Sequence, residues 1–137
     1  MDINIDELYK YQNVGFTNYV GIKVTEMKEG FAKGEIEIKD FHHNPIGSIH
    51  GGAVFSLADT VGGFAACTVA KKVTTVRSDI NYINPTLNVT KLVAEANVIK
   101  AGKRMIIVEI VINDQDGKML QKAMMTYFRL KDDGKAV

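Results

Sequence analysis

The sequence predicts an α+β domain in which one long helix lies across one face of an antiparallel sheet. Residues 52–70 form a largely apolar stretch of helical length that contains one acid, Asp59. Elsewhere apolar residues alternate with polar ones, as they do in half-buried strands. Four such strands follow the helix, and because mostly short turns join them, consecutive strands must run antiparallel. A chain of 137 residues is long enough for one domain with its own core, and we assign residues 1–137 to it.

The elements before the helix follow from alternation and from turn residues. Val20, Ile22 and Val24 alternate with polar residues and predict the first strand, and the turn at Gly30 sends the chain back. Pro45 and Gly47 punctuate the long loop before the helix. The predicted order is an N-terminal helical segment over 1–18 with its helix at 6–11, a strand near 20–25, a strand at 34–39 and a loop at 40–50.

The elements after the helix are four strands separated by turn signals. Asn84-Pro85 ends the first strand, Gly102 lies in a tight turn, and Asp116-Gly117 is a strong hairpin turn. The predicted strands cover residues 73–83, 90–100, 104–113 and 118–130. Residues 131–137 are expected to be a flexible tail.

Composition excludes several classes of function. The net charge is +1 and the Lys and Arg residues are scattered, so we expect neither nucleic acid nor a membrane surface as a partner. The single cysteine, Cys67, fits a reducing compartment, and the acidic N-terminus does not resemble a signal peptide. A cytoplasmic location is therefore expected. The apolar stretch is long enough to span a membrane, but Asp59 and several glycines and hydroxyl residues favour a buried helix instead.

The two faces of the helix differ in residue size. One face is bulky and is expected to pack into the sheet, whereas the opposite face is small apart from one acid. The bulky face comprises Val54, Leu57, Val61, Phe64 and Thr68, and the small face comprises Gly52, Ser56, Asp59, Gly63 and Ala66. Small residues allow another backbone or a ligand to approach, so Asp59 is predicted to project away from the core. The alternative is an ordinary solvated or hydrogen-bonded acid.

The helix start supplies a second candidate group. Gly51 lies where the helix begins, and the first N–H groups of a helix have no internal partner, so they can polarise a carbonyl oxygen. The alternative is that Gly51 and Gly52 only form a sharp bend. Gly51 and Asp59 are separated by roughly 12 Å along the helix, too far to act on one carbon within one chain. If they cooperate, a two-fold dimer must bring Asp59 of one subunit to Gly51 of the other.

These residues carry a family resemblance. The run Asn44-Pro45-x-Gly47-x-x-His50-Gly51-Gly52, with Asp59 further along the helix, resembles the hotdog-fold acyl-CoA thioesterases of the phenylacetate-degradation type. The resemblance covers residues 19–130 and includes the strand that ends at Asn84-Pro85. It implies a long helix wrapped by a curled antiparallel sheet of five to six strands. It also implies a homodimer, in which two sheets join edge to edge, and often a dimer of dimers.

The resemblance also implies site roles. The Gly51 N–H would polarise the thioester carbonyl, and Asp59 of the partner subunit would act as a general base or as a nucleophile. Asn44 would orient the water or the carboxylate, and His50 would hold the loop and the substrate. Thr75 occupies the position where some relatives carry an assisting hydroxyl, although it has an extra methyl group. The substrate is an acyl-CoA, and no cofactor is expected beyond coenzyme A itself.

Basic residues are expected near the coenzyme A phosphates. Lys103 and Arg104 match a position that often meets the phosphates in this family, and Gly52 is placed with them as a binding residue. Lys71 and Lys72 are a second candidate pair. Each pair could instead be ordinary solvated surface charge.

Other chemistries are weighed against this one. His42, His43 and His50 lack a metal-binding spacing, so no metal is expected, and His42 and His43 are interpreted as polar loop residues. Cys67 has no histidine near it in sequence and is expected to be core rather than a nucleophile. Four methionines could line an acyl tunnel, but core filling is favoured for Met105, Met119, Met124 and Met125.

Two other functions remain as alternatives. A non-catalytic acyl-CoA sensor is one, although too few residues precede the first strand for a DNA-binding module. A hotdog hydratase or dehydratase is the other, with its acid–base pair placed differently. The acyl group is not specified by the sequence.

Overall fold

The computed structural model describes residues 3–131 and confirms the predicted α+β architecture. Two short helices and a 3₁₀ turn precede the sheet, and one long helix is wrapped by six strands. The elements are α1 Ile5–Leu8, a 3₁₀ helix Tyr9–Asn13, α2 Gly15–Val20, β1 Ile22–Lys28, β2 Phe31–Glu37, a 3₁₀ turn Asp40–His42, α3 Gly51–Ala70, β3 Val73–Tyr82, β4 Lys91–Ala101, β5 Met105–Asn113 and β6 Met119–Arg129.

The six strands form one antiparallel sheet in the order β1-β2-β4-β5-β6-β3. Strands joined by short turns pair directly, whereas α3 carries the chain from β2 to the far edge of the sheet, where β3 pairs with β6. β1 and β3 are therefore the two edge strands. The register of β3 against β6 shifts between Thr75 and Arg77, which marks a β-bulge.

The core lies between α3 and the inner face of the sheet. α3 contacts all six strands, so the sheet curls around it. By length and composition α3 could span a membrane, but half of its apolar window is buried inside the fold, as in a core helix. Gly34 on β2 allows a close approach, because a Cβ there would lie 2.7 Å from Cγ2 of Val61.

The helix faces follow the prediction at most positions. Val54, Leu57, Val61 and Thr68 are buried, as expected. Ala66, expected on the outward face, is fully buried instead, because a sheet that wraps the helix covers more than half of its circumference. Phe64 packs against the core but is only partly buried.

The N-terminal region needs two corrections. The predicted helix at 6–11 is divided between α1 and the 3₁₀ helix, and a further helix, α2, follows. Val20 ends α2 rather than starting a strand, because Gly21 adopts φ +88° and caps the helix. The predicted tail falls almost entirely on residues 132–137, which lie outside the described residues.

Candidate active site

The loop before α3 is held by the side chain of Asn44. Its Nδ2 donates to Ser48 Oγ (2.7 Å), and its Oδ1 accepts from the backbone N–H groups of Ile46 (3.1 Å) and Ser48 (3.2 Å). Both ends of the amide are therefore used inside the loop. Asn44 therefore shapes the loop that leads to the helix start, a structural role in addition to the predicted role of orienting water.

The start of α3 leaves one amide without an acceptor. His50 is the N-cap residue, and its Nδ1 accepts from the Gly52 N–H (2.8 Å), while its carbonyl accepts from Ala53 (2.9 Å). Within residues 3–131 no group accepts a hydrogen bond from the Gly51 N–H. Because Nδ1 is an acceptor, the proton of the neutral ring is on Nε2, on the exposed side chain. Gly51 N–H and His50 Nε2–H are thus two donors available to a ligand oxygen.

A tyrosine that the sequence reasoning missed contacts this helix start. The hydroxyl of Tyr82, at the end of β3, donates to the carbonyl oxygen of Gly51 (2.8 Å). Partial burial raises the pKa of Tyr82, which keeps this hydroxyl protonated. The only signal available in the sequence was an aromatic hydroxyl at a strand end.

Asp59 lies eight residues further along α3, and one of its carboxylate oxygens is held by two hydroxyls. The Thr75 hydroxyl donates to Oδ1 (2.7 Å), and the Tyr127 hydroxyl lies 3.3 Å from Oδ1 and 3.0 Å from the Asp59 carbonyl oxygen. No donor within the described residues contacts Oδ2. The structure thus brings Thr75 to Asp59, and it adds Tyr127, which the sequence reasoning did not identify.

Tyr127 is a buried donor to this carboxylate. Burial raises the pKa of Tyr127, and the negative charge of Asp59 raises it further, so the phenol stays protonated and donates. Gly62, one turn along α3, leaves the space that the Tyr127 hydroxyl occupies. The orientation of the Asp59 side chain is therefore fixed from both neighbouring strands, β3 and β6.

Asp59 faces a cavity of about 680 Å³. Its walls come from α3, from the first residues of β3 and from the N-terminal helical segment, through Leu8, Tyr11 and Thr17. Phe64 lines this cavity, which explains why it is only partly buried. Sequence patterns did not predict that the N-terminal segment would form a wall.

The two pairs of basic residues occupy different places. Lys71 and Lys72, at the end of α3, line the cavity that contains Asp59. Lys103 and Arg104 are exposed on the β4–β5 turn and are not among the residues that line this cavity. Gly52 lies at the helix start, where a Cβ would come within 2.9 Å of the His50 ring.

The remaining candidates have structural roles. His42 is buried, contrary to expectation: its Nε2 donates to the Val20 carbonyl (2.7 Å) and its Nδ1 accepts from Lys39 N–H (2.9 Å). Cys67 is partly buried and lines the cavity, and burial raises its thiol pKa to about 11. Met125 fills the core as predicted, but three methionines expected there are exposed: Met105, Met119 and Met124. Across residues 3–131, no three His, Cys, Asp or Glu side chains come together as a metal site would require.

Known proteins are similar to this chain in sequence and in fold. Residues 46–121 match the sequence profile of the thioesterase superfamily. The chain is 30% identical over 125 residues to a putative esterase of Archaeoglobus fulgidus, covering 91% of this chain and 81% of the relative. It is 31% identical over 108 residues to the acyl-coenzyme A thioesterase PaaI of Escherichia coli, covering 79% and 77% of the two chains. The structure of E. coli PaaI superposes with a TM-score of 0.84 over 91% of both chains, at 27% identity.

The predicted resemblance is confirmed by these matches. The profile covers the loop at Gly47, the whole of α3, the strands β3, β4 and β5 and the first residues of β6. The sheet and central helix agree with a relative of the same family over nearly the whole chain. The chain therefore belongs to the thioesterase superfamily, as a PaaI-like hotdog thioester hydrolase.

Proposed function

We propose that the protein is an acyl-CoA thioesterase, which hydrolyses an acyl-CoA to a free carboxylic acid and coenzyme A. The observation that carries the proposal is the presence of two groups on α3: the Gly51 N–H, which has no acceptor among the described residues, and the cavity-facing carboxylate of Asp59. A relative named acyl-coenzyme A thioesterase, 31% identical to this chain, supports the choice of substrate. The reaction uses protein groups and water, without a metal or a further cofactor.

In the proposed reaction, the thioester oxygen accepts hydrogen bonds from Gly51 N–H and His50 Nε2–H. Asp59 of the partner subunit takes a proton from water, and the water oxygen bonds to the carbonyl carbon. The resulting oxyanion is stabilised by the two donors. When the intermediate collapses, the C–S bond breaks and the sulfur leaves with the proton held by Asp59. Direct attack by Asp59, followed by hydrolysis of the anhydride, would use the same groups.

The distance between Gly51 and Asp59 favours an active site that two subunits share. Both lie on α3, eight residues apart, which separates them by roughly 12 Å. A two-fold dimer can bring them together. The outer edge of β3 pairs with no strand among the described residues, and Val76 on it is 53% exposed. Because an unpaired edge strand is a ready template for pairing, we propose that β3 joins its copy in the partner subunit.

The cavity suggests how coenzyme A would be bound. Lys71 and Lys72 bring positive charge to the wall of the cavity in the same protomer, where they could bind the coenzyme A phosphates. Lys103 and Arg104 lie on an exposed turn, and in the proposed dimer they would have to serve the partner's site. We also propose a cytoplasmic location, on the basis of the single cysteine.

The test is a thiol-release assay over a panel of short, medium and aromatic acyl-CoA substrates. Asp59→Asn keeps an oxygen that can accept from the Thr75 hydroxyl but removes the base, so kcat should fall about 10²- to 10⁴-fold. Glu29→Gln is the matched control, because it makes the same carboxylate-to-amide change on the exposed β1–β2 turn.

Two results would contradict the proposal. Unchanged thiol release by Asp59→Asn would reject Asp59 as the acid–base residue. Binding of acyl-CoA by calorimetry, with no thiol release by the wild-type protein, would favour the sensor instead.

A further inference from the structure

The peptide group between Gly51 and Gly52 is held at both ends by side chains. Its carbonyl oxygen accepts from the Tyr82 hydroxyl (2.8 Å), and its N–H donates to Nδ1 of His50 (2.8 Å). These contacts form one chain of hydrogen bonds from Tyr82 through the backbone to the imidazole ring. Tyr82 lies on β3, 31 residues from Gly51 in sequence, so these hydrogen bonds connect the helix start to the sheet.

This peptide needs an external support because it joins two glycines. Glycine has the greatest backbone freedom of any residue, and the first turn of a helix lacks half of its internal hydrogen bonds. The Tyr82 hydroxyl fixes the carbonyl of Gly51 and so limits rotation of this residue, whose N–H has no acceptor in the part of the chain that the structure describes. Its ring also covers Gly51, since a Cβ there would lie 3.3–3.5 Å from the ring and hydroxyl atoms.

The same series of hydrogen bonds sets the tautomer of the His50 ring. A hydrogen bond to a peptide carbonyl polarises the group and makes its N–H a stronger donor. The Gly52 N–H therefore binds Nδ1 more firmly, which keeps the ring proton on Nε2. Nε2–H is the group that the proposed reaction directs to the thioester oxygen.

We propose that Tyr82 is a positioning residue of the proposed thioesterase reaction, acting through the Gly51–Gly52 peptide to orient both oxyanion donors, Gly51 N–H and His50 Nε2–H. The inference rests on the proposed function. Tyr82 does not line the cavity of Asp59 and is 51% exposed, so its hydroxyl contributes little to overall stability. Loss of the Tyr82 hydroxyl should therefore lower kcat.

The test compares Tyr82→Phe, which removes only the hydroxyl, with Tyr19→Phe. The Tyr19 side chain is 79% exposed and its hydroxyl has no hydrogen bond within residues 3–131, so it controls for loss of a tyrosine hydroxyl. In Tyr82→Phe, kcat should fall about 3- to 10-fold, the loss expected for one hydrogen bond, while KM stays within about 2-fold. Tyr19→Phe should change neither.

Nuclear magnetic resonance supplies a readout that does not depend on turnover. In Tyr82→Phe the Gly52 amide should exchange with solvent about 5-fold faster or more, and the ¹⁵N shifts of His50 should move toward the Nδ1–H tautomer. The thermal unfolding midpoint of the variant should stay close to that of the wild type. A fall in kcat without changes at Gly52 and His50 would overturn the inference, because Tyr82 would then act by another route.

The outcomes separate the inference from the proposed function. If the wild-type protein hydrolyses acyl-CoA and Tyr82→Phe does so at the same rate, the inference fails and the proposed function stands. If the wild-type protein releases no thiol from any substrate in the panel, the proposed function fails and the inference fails with it.

Discussion

Replacing Gly51 with proline removes the N–H donor at the helix start while the helix can still form. Gly51 is the first residue of α3, where proline is well tolerated because its ring already has a helical φ. His50 has φ −58° and ψ 130°, the extended conformation that a residue before proline prefers. No hydrogen bond within the described residues is lost, since the Gly51 N–H has no acceptor there. Gly51→Pro should therefore fold normally.

The expected loss of activity is large. Removal of one oxyanion donor lowers kcat about 10²- to 10³-fold in enzymes that depend on it. The new Cβ would lie 3.3 Å from the Tyr82 hydroxyl, a tight contact that proline and alanine share. Gly51→Ala is thus the matched control, because it adds the same carbon and keeps the N–H.

The assay is thiol release at saturating acyl-CoA, with circular dichroism and thermal unfolding to compare folding. The difference between the two variants measures the N–H alone. If Gly51→Pro retains activity within about 5-fold of Gly51→Ala, the Gly51 amide is not an oxyanion donor.

Three further predictions concern individual side chains. Thr75→Val removes the 2.7 Å hydrogen bond to Asp59 and should lower kcat about 10-fold, whereas Thr75→Ser should retain most of the activity; equal rates in an acyl-CoA assay would contradict this. Gln121 is buried, and within residues 3–131 its amide atoms have no hydrogen-bond partner, so Gln121→Met should raise the free energy of unfolding in urea by about 1–3 kcal/mol. A decrease would show that the amide is paired. Burial raises the pKa of the Cys67 thiol from 9.0 to about 11, so iodoacetamide should label it with a pH midpoint near 11 when folded, and stability should fall as pH rises from about 9 to 11; a midpoint near 9 would refute this.

The fold could be predicted from the sequence because its signals are local. The hairpin turn at Gly117 and the alternation along β5 depend on residues a few positions apart. The long helix could be predicted from its length and apolar composition alone. The start of β1 was placed too early because Val20 continues the alternation of the strand, and only the cap at Gly21 separates it from β1.

The site could be predicted only where one motif contains it. The loop and helix bring His50, Gly51 and Asp59 into a fixed order along one chain segment. Contacts across the sheet have no such signal: Tyr127 lies 68 residues from Asp59, and Tyr82 lies 31 residues from Gly51. Both tyrosines read in sequence as ordinary strand residues, and their hydroxyls became informative only when the curled sheet brought them to α3.

The burial of polar residues could not be predicted from the sequence either. His42 resembles a loop residue in sequence, yet its ring bridges the end of α2 and the start of the loop through two backbone contacts. The wall that the N-terminal segment adds to the cavity depends on how α1 and α2 dock against α3, which local propensity does not specify.

If two subunits complete one reaction centre, a mixed dimer of two inactivating variants should recover activity. Gly51→Pro and Asp59→Asn chains would be co-expressed with different affinity tags, and the dimer that carries both tags would be purified. One of its two sites would then combine an intact Gly51 with an intact Asp59 from the other chain. We expect about half of the wild-type activity per dimer, although each parent dimer loses at least about 10²-fold. A mixed dimer no more active than its parents would show that the two groups do not act together across the interface.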